Sequence, residues 1–418
     1  MSVSPARPAT AALARGALLV LAFHFATAGL LRPLLRPYAY SDFATFYSAA
    51  RCFAEHRDPY DFGALDATGK QSFEGWIGRY FYPPPFAACA LRPLVLLPFG
   101  VARRLWVLVE AAAYVAAALL LVRGLFGRRD AVGLALVGFL FLPFAPVYLD
   151  FKLGSVSGLL LLLVVVFLRQ RRAGHAWRAA LVLAAAALLK LTPALVVLYL
   201  ALRGDWRFLL RTCACGAALL ALSLPGTGVQ AYAVYVQRVL PFLASADFSW
   251  FTNQSADAFF WRLFVPGDNT TPWITSPLLY RLGTWGLGAA VLAGLVALGV
   301  RARRTALARA EEEWWEIAAV LVASLVLSRV SWEYMLVLAL PCFALWLRDA
   351  ARGRATDREV LAVATAFALC ALPFPYAEAP LHTGLGILLE APRFYGLLLL
   401  LGTTLVRLLC RAPVAAEQ

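Results

Sequence analysis

Apolar runs and arginine clusters alternate along the chain. Runs near residues 12–31, 104–123, 131–148, 155–169, 206–224, 274–300, 313–329, 332–348, 358–374 and 391–410 approach the roughly 20 apolar residues a helix needs to cross a hydrocarbon core. Arginines gather between them at 123–129, 169–178, 203–211, 301–309, 348–358 and 407–411. Short arginine-rich loops mark the cytoplasmic face of a membrane, so the segments between clusters must leave that face and return to it. The pattern predicts an all-α polytopic bundle of about eleven to twelve transmembrane helices, one domain over residues 1–418. A first periplasmic loop with interfacial helices is expected over 33–103, and a second long periplasmic segment over 225–272.

Two stretches do not fit a plain span. About 25 residues separate the clusters at 169–178 and 203–211, too few for two full spans at 1.5 Å rise per residue. They contain "LLKLTPALV", in which Pro193 breaks a helix just after the ionisable Lys190. Two short helices meeting at depth satisfy both facts, since broken backbone is tolerated where it lines a cavity; one full span with the second cluster outside is the alternative. Residues 83–98, with flanking prolines and Arg92, read either as a helix lying at the outer interface or as a short span.

Composition settles the class. The chain is 62% hydrophobic and 15% charged, with a mean hydropathy of +0.73, whereas a soluble surface takes about 25% charged residues. The formal charge of +14 sits in loop clusters, as membrane orientation requires, and no nucleic-acid partner is expected. The seven cysteines are scattered, with Cys52 in a loop and most others in apolar segments, and His24, His56, His175 and His382 are widely separated. That spacing suggests neither a disulfide framework nor a metal site. "GALDATGKQ" has one residue too many for a P-loop and Gln71 where magnesium needs Ser or Thr, so no nucleotide-binding domain, cofactor or metal is expected. Arg7, Arg15 and Ala26-Thr27-Ala28 resemble parts of a signal peptide; the many spans downstream favour an uncleaved first helix.

With the arginines inside, unusual polar residues collect outside. The first loop supplies Asp42, Tyr47, Asp58, Tyr60, Asp61 and Tyr82; later segments supply Asp150, Lys152, Asn253, Gln254, Arg262, Arg329, Trp332 and Glu333. Outer loops are polar in any case, and Asp42 after Ser41 equally suits a helix cap. Asn253 and Asn269 also head N-x-S/T acceptor patterns. Lysine usage is more pointed: of 38 basic residues only Lys70, Lys152 and Lys190 are lysine. A charge at bilayer depth costs about 2.5–3.5 kcal/mol and normally faces a partner or a cavity. A lipid phosphate would be such a partner.

Five ordered stretches, "SDFATFYSAARCFAEHRDPYDF", "YPPPFAACALRPLVLLPFGVARRLW", "GHAWRAALVLAAAALLKLTPALVVLYLALRGDWR", "NQSADAFFWRLF" and "SRVSWEY", resemble the landmarks of glycosyltransferase family 87. These are bacterial polyprenyl-phosphate-mannose-dependent mannosyltransferases of the GT-C superfamily. The resemblance implies an inverting transferase with its site on the periplasmic side of the cytoplasmic membrane, with a polyprenyl-phosphate sugar donor, a lipid or glycan acceptor and membrane lipids as partners. It implies Asp42 as general base and Lys190 as the lysine of the K-x-T-P motif. The chain departs from the family pattern in having Gly154 to Ser157, "GSVS", for Gly-Gln-x-Asn, and Tyr334 where a histidine is usual.

Chemistry completes the expected site. A positioned carboxylate can take the proton of an attacking hydroxyl, and fixed cations can stabilise a departing phosphate. Asp42 is expected as base, with Lys190, Arg329 and Lys152 around the donor phosphate. Tyr47, Asp61, Tyr82, Asn253, Gln254, Arg262, Trp332 and Glu333 are expected to line the sugar and acceptor pocket. Two other readings remain open: a transporter or flippase of a lipid-linked sugar, and an inactive family member.

Overall fold

The computed structural model describes residues 8–35, 42–73, 76, 80–127, 130–267, 270–304, 310–376 and 378–410; Ser41 and Asn269 lie outside them. The helices of the bundle are α1 (Pro8–His24), α2 (Asp42–Ala54), α3 (Phe62–Ser72), α4 (Pro85–Leu91), α5 (Phe99–Leu125), α6 (Ala131–Phe141), α7 (Ala145–Leu153) and α8 (Ser157–Arg172). There follow α9 (Ala176–Leu189), α10 (Ala194–Leu202), α11 (Trp206–Thr227), α12 (Ala256–Phe264), α13 (Pro277–Arg304) and α14 (Ala310–Leu327). A 3₁₀ turn at Glu333–Ala339 leads into α15 (Leu340–Ala351), and α16 (Asp357–Ala371) and α17 (Pro392–Cys410) complete the chain.

Helix starts follow local chemistry. Asp130 and Asp205 accept the first free backbone N–H groups of α6 and α11, and Thr356 with Glu359 forms a reciprocal capping box on α16. Among the described residues, six helices are long and apolar enough to cross a bilayer, and the pair α6–α7, bent by 64°, makes a seventh. This is fewer than the eleven to twelve expected. The remaining apolar segments do fold as helices, but α8, α9 and α16 have 16, 14 and 15 residues, and α14 opens on a run of glutamates that lowers its hydropathy. At 83–98 the chain forms a helix over Pro85–Leu96, too short to span.

One continuous apolar core runs from Phe43 to Leu408. At its centre lies α14, whose residues from Ile317 to Ala323 are wholly buried. Outer helices instead turn leucine and tryptophan outward: Leu19, Leu222 and Trp285 are 71%, 78% and 70% exposed, which suits a lipid-facing surface.

The arginine clusters do meet at one end. Arg172 donates to the Gly124 carbonyl at 3.3 Å, Arg352 to the Leu125 carbonyl at 2.9 Å, and Arg303 lies against Gly204. Arg171 pairs with Asp205 and, at 2.8 Å, with Glu313; Arg407 pairs with Asp349. Because Arg171 and Asp205 are in contact, α9 must run away from this end and α10 must return to it. The chain therefore adopts the pair of short helices, broken at Lys190.

Candidate active site

Ser157 and Lys190 sit at helix ends remote from the arginine clusters. In α8, Ser157 is the first residue and Arg172 the last, about 22 Å apart at 1.5 Å per residue; Lys190 follows the last residue of α9.

Asp42 is the first residue of α2, where a carboxylate interacts favourably with the helix dipole. Its neighbour Phe43 is packed against the "GSVS" turn. There Gly154 ends α7 in the left-handed conformation, φ 66°, and a Cβ on it would come within 2.8 Å of the Phe43 side chain. Only glycine meets both conditions. Trp106 donates to the carbonyls of Gly154 and Ser155 at 3.1 and 2.9 Å and stacks on the Phe43 ring, 6.2 Å between centroids. The buried Ser155 hydroxyl has no hydrogen-bond partner.

The K-x-T-P break ends α9. Lys190 is extended, φ −156° and ψ 135°, so its backbone leaves the helix while its N–H still reaches the Ala186 carbonyl at 3.0 Å. Its ammonium lies over the Tyr334 ring, 4.9 Å from the centroid, and Asp42, Asp150 and Glu110 are the carboxyl groups whose charges act on it. Tyr334 belongs to the 3₁₀ turn Glu333–Ala339, which packs on α7 and α8. Four distant stretches of sequence thus converge on Lys190.

A second junction adjoins through Trp332, whose backbone pairs with that of Asn253. Asn253 donates to the carbonyls of Phe248 and Arg329 at 2.9 and 2.8 Å and accepts from the Ser331 N–H at 2.8 Å. Gln254 accepts from the Phe394 N–H at 3.2 Å and donates to the Phe251 carbonyl at 2.9 Å. Arg262 donates to the carbonyls of Ser249, Trp250 and Asn253 and pairs with Glu390 at 3.3 Å, both side chains fully buried. These three expected pocket residues have protein partners and hold the 248–255 loop against 329–332. Arg329 pairs with Asp257 at 3.1 Å and reaches the Ala246 carbonyl at 3.1 Å, while its side chain stays 29% exposed. Glu333 pairs with Arg393.

The other expected residues are spread along the same end. Tyr47 is buried and donates to the Leu97 carbonyl at 2.8 Å. Asp61, exposed, caps α3 through the Ala64 N–H at 3.1 Å. Tyr82 stacks on Phe242 and meets Phe248 edge-on, each at 5.8 Å. Lys152 is exposed on α7, two residues beyond the buried Asp150.

The sequence model of glycosyltransferase family 87 matches residues 80–328. The chain belongs to glycosyltransferase family 87. A polyprenol-phosphate-mannose-dependent alpha-(1-2)-phosphatidylinositol mannoside mannosyltransferase of Mycolicibacterium smegmatis is 28% identical over 318 residues, which cover 72% of this chain and 68% of that protein. No solved structure matches.

The family match takes in the "GSVS" turn, Lys190 and the Asn253–Arg262 junction; Asp42 and Tyr334 lie beyond its two ends. In this family-87 chain the site also contains Glu110, which the sequence reading passed over. Glu110 is buried on α5 and accepts the Gly158 N–H at 2.7 Å. A lone carboxyl in the middle of a 27-residue apolar helix carried the same signal as Lys190, since ionisable groups at bilayer depth are rare and functional.

Proposed function

We propose that this protein transfers mannose from a polyprenyl-phosphate donor to a lipid or glycan acceptor at the periplasmic face of a bacterial cytoplasmic membrane, with inversion and without a metal. The observation that carries the reading is the placement of Asp42 at the start of α2 and of Lys190 at the break after α9, near enough for the charge of the carboxylate to act on the ammonium. The relative's dependence on polyprenol-phosphate-mannose supports the choice of donor.

In this scheme the acceptor hydroxyl loses its proton to the Asp42 carboxylate as its oxygen bonds to the anomeric carbon. The bond from that carbon to the phosphate oxygen breaks on the opposite face, and its electron pair stays with polyprenyl phosphate. Lys190 meets the growing negative charge, with Lys152 and Arg329 as the further cations; fixed charge of this kind lowers a barrier because it needs no reorganisation. Trp332 and Glu333 beside the neighbouring junction, with Tyr82 against Phe248, would shape the sugar pocket.

The test is transfer from radiolabelled polyprenyl-phosphate-mannose by membranes containing the wild type or Asp42→Asn. Labelled product is expected with the wild type, unchanged by EDTA, and about 10²- to 10⁴-fold less with the folded variant. Equal product from both would place the base elsewhere, and no product from either would refute the donor. A flippase would tolerate Asp42→Asn while moving labelled lipid across the bilayer.

A further inference from the structure

At the surface of the same end lies an aromatic cluster that the transfer scheme uses only through Tyr82. The rings of Phe62 and Tyr80 are 4.6 Å apart between centroids. Tyr80 and Tyr82 lie near-parallel at 6.0 Å and 19°, and Tyr82 continues onto Phe242 at 5.8 Å and 19°. Three of these four rings stay open: Phe62, Tyr80 and Phe242 are 40%, 54% and 44% exposed. Their placement is fixed from below. Tyr60 donates to the Pro83 carbonyl at 2.7 Å, Asp61 caps the helix that begins at Phe62, and Tyr82 meets Phe248 edge-on at 5.8 Å. Phe248 belongs to the clamped loop, where its carbonyl accepts from Asn253, whose backbone pairs with that of Trp332. The cluster therefore leads from the outer surface to the junction beside the candidate site.

A contiguous exposed aromatic patch marks either a ligand surface or contact with lipid. Its charged neighbours favour a ligand. Asp61 directly precedes Phe62 and Asp247 directly precedes Phe248, and both acids are exposed. Each spends one carboxylate oxygen on a backbone N–H, that of Ala64 at 3.1 Å and that of Ser249 at 2.7 Å. Carboxylates are expensive at hydrocarbon depth, so this pair sets the rings in the aqueous layer. An uncharged polyol fits such a surface. The C–H face of a pyranose ring is apolar and its hydrogens are slightly positive, which suits the negative face of an aromatic ring; its hydroxyls can donate to carboxylates at the edge. We propose that Tyr80, Tyr82 and Phe242, with Phe62 at the rim, form a stacking platform for a sugar ring of the acceptor, so that the acceptor is a glycan or glycolipid that already carries sugar. The acceptor role rests on the transferase reading above; the binding of sugar does not.

Saturation-transfer NMR with α-linked mannotriose, on the full chain in phosphatidylcholine nanodiscs, tests the platform without any donor. Titration gives a Kd for the wild type, for Tyr80→Leu, Phe242→Leu and their combination, and for Trp285→Leu, which removes a ring from the lipid-facing surface of α13. Leucine keeps apolar surface and removes only the ring face, so thermal unfolding should stay close to that of the wild type. The trisaccharide is expected to bind the wild type and Trp285→Leu alike. Each platform variant should bind about 2- to 13-fold more weakly, and the combination about fivefold or more. Tyr80→Trp with Phe242→Trp should retain binding. No contact with the wild type, or equal contact with the doubly substituted leucine variant, would overturn the platform. So would a nitroxide on Phe242→Cys, with Cys213 and Cys410 replaced by serine, that meets dissolved oxygen more readily than a water-soluble nickel reagent, since the rings would then lie in lipid. If the trisaccharide binds as expected while membranes transfer no mannose, the transferase reading fails and the sugar platform stands.

Discussion

Tyr334 meets Lys190 through the face of its ring, at 4.9 Å, and a ring face attracts an ammonium by about 0.5–2 kcal/mol, more as water is excluded. The phenol oxygen has no part in that attraction. Tyr334→Phe is therefore expected to leave the donor KM within about 1.5-fold of wild type, and Tyr334→Ala to raise it by about 2- to 30-fold, measured in the same transfer assay. A large effect of Tyr334→Phe would show that the hydroxyl, not the ring, stands in for the family's histidine. At this scale the sequence was readable where a residue contradicted its surroundings. Lys190 was a charge in an apolar run beside a proline, and Glu110 was open to the same argument. Asn253, Gln254 and Arg262 offered no such contrast: their partners, Arg329, Phe394 and Glu390, lie far along the chain, and no spacing rule connects them.

Among the elements, the break between α9 and α10 and the clamp on the 248–255 loop do different work. The break was visible as a conflict between residue count and proline position, and the pairing of Arg171 with Asp205 decides between its two readings. The clamp depends on Arg262 and Glu390, both 0% exposed, with His382 donating or accepting at 2.9 Å on the other Glu390 oxygen. Burial pushes the Glu390 carboxyl above its ordinary range, against the opposing pull of Arg262 and His382. Removing one member of a fully buried pair leaves the other charge uncompensated, at a cost of about 3–5 kcal/mol. Glu390→Gln is expected to destabilise by that order in detergent unfolding, and Glu390→Gln combined with Arg262→Met to recover part of the loss. An unchanged unfolding midpoint in Glu390→Gln would mean that the carbonyls of Ser249, Trp250 and Asn253 hold Arg262 sufficiently by themselves.

Across the whole molecule, the arginine pattern and the site define opposite ends, and each constrains the other. Contacts such as Arg172 to Gly124, Arg171 to Asp205 and Arg352 to Leu125 bring clusters separated by up to hundreds of residues to one end, as a single rule about loop charge anticipates. The count of full spans was less legible, because hydropathy does not reveal that α8, α9 and α16 stop short of a bilayer's thickness. Orientation follows from charge: the arginine end should face the cytoplasm and the Asp42–Lys190 end the periplasm. With the exposed Cys213 and Cys410 replaced by serine, Asp61→Cys and Ala173→Cys place one thiol at each exposed end. An impermeant maleimide applied to intact spheroplasts should label Asp61→Cys and should reach Ala173→Cys only after lysis. The opposite result would turn the molecule over and put Asp42 on the cytoplasmic side. Transfer from a polyprenyl-phosphate sugar at the periplasmic face would then be impossible for this site, whatever its residues could do chemically.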